Sequence, residues 1–218
     1  FYYEDENVGK QLKIVFLGES SVGKTSIIRR FCYDEFTRQY NQTIGADFYI
    51  RRLVLPGRHE VTVRITDVGG FEFHGHMLAN YLFNSNLIIL VYDITNSVSF
   101  DCLPLWIDAI KRIIDNPPIC AIIGNKCDLE HQRAVRLDKT KHFLQDYRLY
   151  NFLLSAKTGE AVNSSLMDLI AKHFKIPLTR IEKEHQESIV KVELIPASAG
   201  QNRPSGVAAS TSSVCCVQ

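Results

Sequence analysis

Gly18-Glu19-Ser20-Ser21-Val22-Gly23-Lys24-Thr25 fits the pattern G-x-x-x-x-G-K-[ST], and its flanks give the match its meaning. Leu12, Ile14, Val15, Phe16 and Leu17 form a short apolar run, rich in strand formers, directly before it. Thr25 to Arg30 reads as the start of a helix directly after it. A strand that turns sharply into a helix leaves unpaired backbone N–H groups aimed at one spot. The helix dipole adds partial positive charge there, so the turn is a phosphate cradle. Gly18 and Gly23 allow backbone angles and close approach that a side chain would block. Lys24 brings a full charge to β and γ phosphates, and the Thr25 hydroxyl can ligate Mg²⁺. Gly18, Glu19, Ser20, Ser21, Val22, Gly23, Lys24, Thr25 and Ser26 are therefore the expected phosphate-binding residues.

Outward from this cradle, a helix is predicted over Lys24–Tyr33, with Ile27, Ile28 and Phe31 spaced to pack on a sheet. Asp34 to Ala46 is polar without a period and reads as a loop. Asp47–Leu55 and Glu60–Thr66 have strand character, and Pro56-Gly57 between them marks a hairpin. Asp67–Met77 reads as a second mobile loop, followed by a helix to about Phe83. Leu87–Tyr92 is predicted to be a fully buried strand and Ser99–Asp115 an amphipathic helix, which Asn116-Pro117-Pro118 stops. Strands at Ala121–Gly124 and Asn151–Leu154 alternate with helices at Asp138–Tyr147 and from about Ser164 to His173. The alternation implies an α/β fold, a mostly parallel six-stranded sheet with helices on both faces. Such sheets bind ligands beyond the carboxyl ends of their strands.

Three further motifs fall at those ends. Asp67-Val68-Gly69-Gly70 fits D-x-x-G: its carboxylate can hold Mg²⁺ through water, and the Gly70 N–H can meet a γ-phosphate. Asn125-Lys126-Cys127-Asp128 follows a buried strand, and one carboxylate there can accept two parallel N–H bonds from guanine, which adenine cannot offer. A mismatched base would leave buried polar groups unpaired, the means by which a site rejects an analogue strongly. This disfavours a kinase or ATPase. Ser155-Ala156-Lys157 supplies the other side of a purine pocket.

These four elements, in this order, resemble the Ras superfamily of small GTPases over roughly Gln11 to Phe174. Within it, Thr43-Ile44-Gly45-Ala46-Asp47-Phe48 is similar to the T-I-G-x-D-F of the Rab family, whose chains also end in paired cysteines. Gly69-Gly70, Lys126 with Asp128-Leu129-Glu130-His131, and the Cys-x-Val-Gln ending resemble a divergent branch of that family. The resemblance implies a P-loop G domain that binds GTP or GDP with Mg²⁺. Thr43 would close over the metal and the γ-phosphate, joining Thr25 and Asp67 as metal ligands. Phe36 would lie against the guanine ring. Lys24, Thr43 and Gly70 would act on the γ-phosphate. Its loss would release both switch loops. Effectors would read those loops in the GTP state, and an exchange factor and a GTPase-activating protein would set the state. One departure stands out. Where Rabs carry the glutamine that orients the attacking water, this chain has Phe71, and Gly69 replaces the usual alanine. Intrinsic hydrolysis is then expected to be slow. The alternative is a GTP-binding recruitment scaffold with negligible turnover.

At 218 residues, the chain has room for residues 1–10 as an extension, a G domain over 11–175 and a tail over 176–218. A net charge of +1 gives no reason to expect nucleic-acid binding. Phe1 to Gly9 is acidic and unlike a signal peptide, and a start at Phe1 is compatible with a longer chain. The scattered Cys32, Cys102, Cys120 and Cys127 fit a reduced, cytosolic protein, and the glycosylation-like Asn41 and Asn163 are read as chance. His74-Gly75-His76 is read as switch surface rather than zinc ligands, and Trp106, Ile107, Ile110, Ile113 and Ile114 as core packing. Pro196 to Ser213 cannot bury enough apolar surface to fold and reads as a flexible tether. It ends in Cys215-Cys216-Val217-Gln218, a loose C-a-a-X match or a double-cysteine end, which makes Cys215 and Cys216 the expected prenylation sites. A prenyl transferase and a lipid-binding chaperone are then implied as partners. The expected location is the cytoplasmic face of a membrane, with a cytosolic pool. One lipid binds only marginally and two bind stably.

Overall fold

The computed structural model describes residues 9–178. The extension before Gly9 and the tail beyond Leu178, with Cys215 and Cys216, lie outside the described residues.

A run that is apolar at every position suits a strand covered on both faces. Leu87–Asp93 is such a strand (β4), with all seven residues buried. Around it lie β1 (Lys10–Leu17), β2 (Ala46–Leu55), β3 (His59–Val68), β5 (Ile119–Asn125) and β6 (Tyr150–Leu153). The six-stranded order is β2-β3-β1-β4-β5-β6. All neighbours are parallel except β2 and β3, an antiparallel hairpin whose register pairs Asp47 with Asp67. The chain winds from β1 toward β3 on one side and β4 on the other. That divergence opens the crevice in which α/β sheets bind ligands, and the loop after β1 runs into it.

Alternation along β1 divides the core. Leu12, Ile14 and Phe16 face α1 (Lys24–Tyr33) and α6 (Val162–His173). Val15 and Leu17 face the other layer, formed by α2 (Leu78–Leu82), α3 (Ser97–Asp101), α4 (Leu103–Ile113) and α5 (Leu137–Tyr147). Fully burying each such aliphatic side chain contributes about 1.5–3 kcal/mol relative to leaving it in water.

Several boundaries differ from the sequence reading. The single helix expected over Ser99–Asp115 is two, because Pro104 has no N–H to continue the ladder and opens α4 within its first two positions. Trp106, Ile107 and Ile110 are buried as expected, but Ile113 is 41% exposed, since α4 ends there and Ile114 is already extended. β3 runs on through Asp67 and Val68, so the Asp67 carboxylate sits on a strand rather than in the mobile loop. The loop that follows opens on a 3-10 turn, Gly70–His74. A second 3-10 turn, Cys127–Gln132, carries Asp128. β1 starts at Lys10, within the segment assigned to the extension.

Candidate functional site

The loop after β1 is forced into place by glycine. Gly18 has φ +136°, and a Cβ there would collide with the Val91 carbonyl of β4. Gly23, φ +94°, caps α1 with no side-chain hydrogen bond from a capping residue, so the first-turn N–H groups remain free for an anion. Lys24, only 6% exposed, donates through Nζ to the carbonyls of Gly18 (2.7 Å) and Glu19 (2.8 Å). Burial pushes its ammonium down to about 8, against the opposing pull of Asp67 and Glu19. It is therefore still charged at neutral pH, held by the loop whose phosphates it would serve.

Three oxygen donors meet beside it. The Thr25 hydroxyl donates to Asp67 Oδ2 at 2.5 Å and lies 3.1 Å from the Thr43 hydroxyl. Asp67 is fully buried, and its Oδ1 has no hydrogen-bond partner among the described residues. Burial pushes this carboxyl up to about 6, against the lowering effect of the Thr25 hydroxyl and Lys24. An orphaned carboxylate oxygen beside two hydroxyls is the hard-donor set that suits Mg²⁺. The residues present fit that ion.

Two glycines bring the flanking loops together. Gly69 N–H donates to the Gly45 carbonyl at 2.8 Å, and a Cβ on Gly69 would lie 2.5 Å from the Thr43 carbonyl. Gly70 packs so closely on the Ser20 backbone that a Cβ would collide with it.

Across the crevice, Asn125 at the end of β5 is 2% exposed and ties three segments. Its Nδ2 donates to the Val22 carbonyl (2.9 Å), and its Oδ1 accepts from Ala156 N–H (3.0 Å). Lys126, at φ +70°, pairs with Asp93 of β4 at 2.6 Å. Asp128 accepts from the Ser155 hydroxyl (2.7 Å) and from Lys157 Nζ (3.2 Å). Desolvation alone would raise the Asp128 carboxyl, but these hydrogen bonds outweigh it and hold it below the usual carboxylate range. Asp128 is thus kept as an anion, able only to accept hydrogen bonds.

Between these walls lies a cavity of about 270 Å³. The structure brings Ser20, Ser21, Gly23, Lys24, Thr25, Ser26, Phe36, Thr43, Gly70, Asn125, Lys126, Asp128, Ala156 and Lys157 to its lining. Gly18, Glu19, Val22, Asp67 and Ser155 stand one layer behind, bonded to or continuous with the residues that line it. Phe71 does neither: it is 67% exposed on the 3-10 turn, outside the lining. Sequence reasoning passed over Asp93, which fixes Lys126 and whose signal was a carboxylate ending a buried strand. It also passed over Tyr40 and Arg29 in the lining, where no spacing marks them. Asn163 Oδ1 accepts from Arg51 at 2.8 Å, tying the start of α6 to β2. Among the described residues, no helix is long and apolar enough to cross a membrane.

Comparison with known proteins agrees with this geometry. The model of the Ras family matches residues 13–175. Ras-related protein Rab-28 of Caenorhabditis elegans is 36% identical over 195 residues, covering 88% of this chain and 79% of that protein. The divergent Rab branch that the paired glycines and the Asp128–His131 segment resemble is the one numbered twenty-eight. Ras-family GTPases bind GTP and GDP with Mg²⁺ and hydrolyse GTP. The chain belongs to the Ras family, as a Rab-like small GTPase.

Proposed function

We propose that this chain is a Rab-type GTP/GDP switch, with its G domain over residues 11–175, that regulates intracellular membrane traffic by recruiting effectors in the GTP state. One arrangement carries the reading. Thr43, from the segment before β2, and Asp67, near the end of β3, meet at Thr25, while Gly69 after β3 is bonded to Gly45 before β2. A γ-phosphate placed there would be touched by both segments, so its loss would free both. Mg²⁺, held by Thr25, Thr43 and Asp67, would neutralise charge between the β and γ phosphates. Lys24 would bind those phosphates, Gly70 N–H would donate to the γ-phosphate, and Asp128 would accept from guanine. Cys215 and Cys216 would carry the lipid that returns the protein to a membrane.

A second reading, a recruitment scaffold with negligible turnover, is favoured by Phe71, which has no group to orient water and whose ring faces solvent. Purified protein should carry guanine nucleotide, and single-turnover hydrolysis separates the two readings. GTP converted to GDP over minutes to hours supports the switch, GTP retained unchanged supports the scaffold, and co-purifying ATP overturns both. Replacing both terminal cysteines with serine should move the protein from membrane to soluble fractions without changing nucleotide affinity. Unchanged fractionation would remove the lipid anchor from the proposal.

A further inference from the structure

Trp106 is the only tryptophan of the chain and its largest fully buried side chain. A buried indole N–H needs an acceptor. Here that acceptor is Glu19 Oε1 in the phosphate loop, at 3.2 Å. The first turn of α4 is thus fastened to the phosphate loop through this indole N–H. On its other side, the Trp106 ring receives Phe73 edge-on, with centroids 4.9 Å apart and planes at 68°.

Phe73 belongs to the 3-10 turn Gly70–His74, which begins with the glycine that packs on Ser20. The backbone bonds of this turn are short-range, Glu72 N–H to Gly69 and Gly75 N–H to Glu72, and such turns are weak alone. Its neighbour Phe71 is solvent-facing, whereas Phe73 packs against the buried cluster of the α4 layer. The turn therefore touches the phosphate loop twice: Gly70 on Ser20 directly, and Phe73 on Glu19 through Trp106. Trp106 is fixed in the core. Gly70 and Phe73 stand three residues apart on one short turn, so both contacts with the phosphate loop are borne by a single element.

The geometry points to Phe73, Trp106 and Glu19 as a positioning latch that holds the segment after Asp67 closed on the phosphate loop and so sets how strongly the triphosphate state is preferred over the diphosphate state. The inference rests on the switch reading above. A contact present in one state only adds to the affinity of the ligand that selects that state. Trp106 emission reports the latch without competing signals, because no other tryptophan is present.

The experiment uses the full chain with GDP and with a non-hydrolysable GTP analogue. The parent should show different Trp106 emission in the two states. In Phe73→Ala that difference should collapse, and the analogue-to-GDP affinity ratio should fall roughly three- to tenfold, the scale of an aromatic pair. GDP affinity should stay within about twofold of the parent on that same scale. Phe73→Tyr should restore the ratio, and Phe73→Leu, which keeps the apolar packing, should recover it only in part. Equal losses for both nucleotides in Phe73→Ala and Phe73→Leu would reduce Phe73 to a structural residue and overturn the latch. So would an unmoved ratio in Phe73→Ala when the parent binds both ligands. A parent that binds neither removes the switch reading, and the latch with it.

Discussion

If the cavity holds a guanine nucleotide as proposed, its base-facing wall is built at strand ends and its phosphate-facing wall largely from loops. On the base side, Asn125 closes β5, Ser155 to Lys157 follow β6, and each is cross-tied: Asn125 to Val22 and Ala156, Asp128 to Ser155 and Lys157, Lys126 to Asp93. On the phosphate side, residues 34–45 have no regular structure, and Ile44 is 88% exposed. That segment is held to β3 and the loop after it by the Gly69–Gly45 bond and the Thr25–Thr43–Asp67 group. A wall whose polar groups are satisfied internally keeps its shape whichever nucleotide is present. On the proposed reading, a wall whose loops meet at the metal and γ-phosphate position would loosen when that position empties. Base choice and state sensing are thus separable.

The separation can be broken in order of effect. Asp128→Asn removes an acceptor that faces two guanine N–H groups. Loss of GTP and GDP affinity alike is expected, on the order of 10⁴-fold, with preference moving to xanthine nucleotides. Titration with GTP and xanthosine triphosphate decides it, and equal GTP affinity in mutant and parent would sink the guanine assignment. Asn125→Ala strips two buried hydrogen bonds at about 1–3 kcal/mol each, so both nucleotides should weaken by roughly 10²-fold or more, with a lower Tm. A loss confined to one nucleotide would show that the base wall also senses state.

On the other wall, Gly70→Ala forces a Cβ into the Ser20 backbone. At about 1–3 kcal/mol for such overpacking, affinity for a GTP analogue should fall by up to roughly 10²-fold, with GDP spared. An equal fall for GDP would erase the distinction between the walls.

Asp67 gives a pH test with a definite sign. Its folded pKa is raised to about 6, so between the ordinary carboxylate range and 6 the folded, metal-free chain keeps a proton that the unfolded chain has lost. The stability contributed by this group is full below that range and is lost as pH rises through about 6. Mg²⁺ needs the ionised form, so the metal-dependent part of nucleotide retention runs the other way. It should shrink by about tenfold per pH unit below 6. Dissociation of fluorescent GDP with and without EDTA, from pH 5 to 7.5, measures it, and a flat profile would place the metal elsewhere.

The smallest effect concerns Phe71. Glutamine-bearing Ras turns over alone at about 3–5 × 10⁻⁴ s⁻¹, and a partner acting in trans raises that about 10⁵-fold. Phe71→Gln should raise intrinsic single-turnover hydrolysis several-fold with nucleotide affinity unchanged. A parent already as fast as the mutant would mean that another group positions the water.

Much of this was written in local pattern. The G-x-x-x-x-G-K-T stretch between an apolar run and a helix, with D-x-x-G, N-K-x-D and S-A-K each beyond a strand, determined the α/β class and the residues that would gather. Spacing and periodicity are properties of neighbours in the chain, and a sequence carries them directly. Tertiary structure decided what depends on distance between remote segments. That Asp67 is buried on β3 with one oxygen unpartnered follows from β2 and β1 pairing on either side of it. That Trp106 bonds Glu19, 87 residues earlier, follows from where α4 crosses the end of β1. That the Lys24 ammonium is pushed down, and that Asp93 holds Lys126, are likewise consequences of packing density and field at a point in space. Pro104 could be read in the sequence, yet whether it kinked one helix or divided two rested on how Phe100 and Trp106 each found the core.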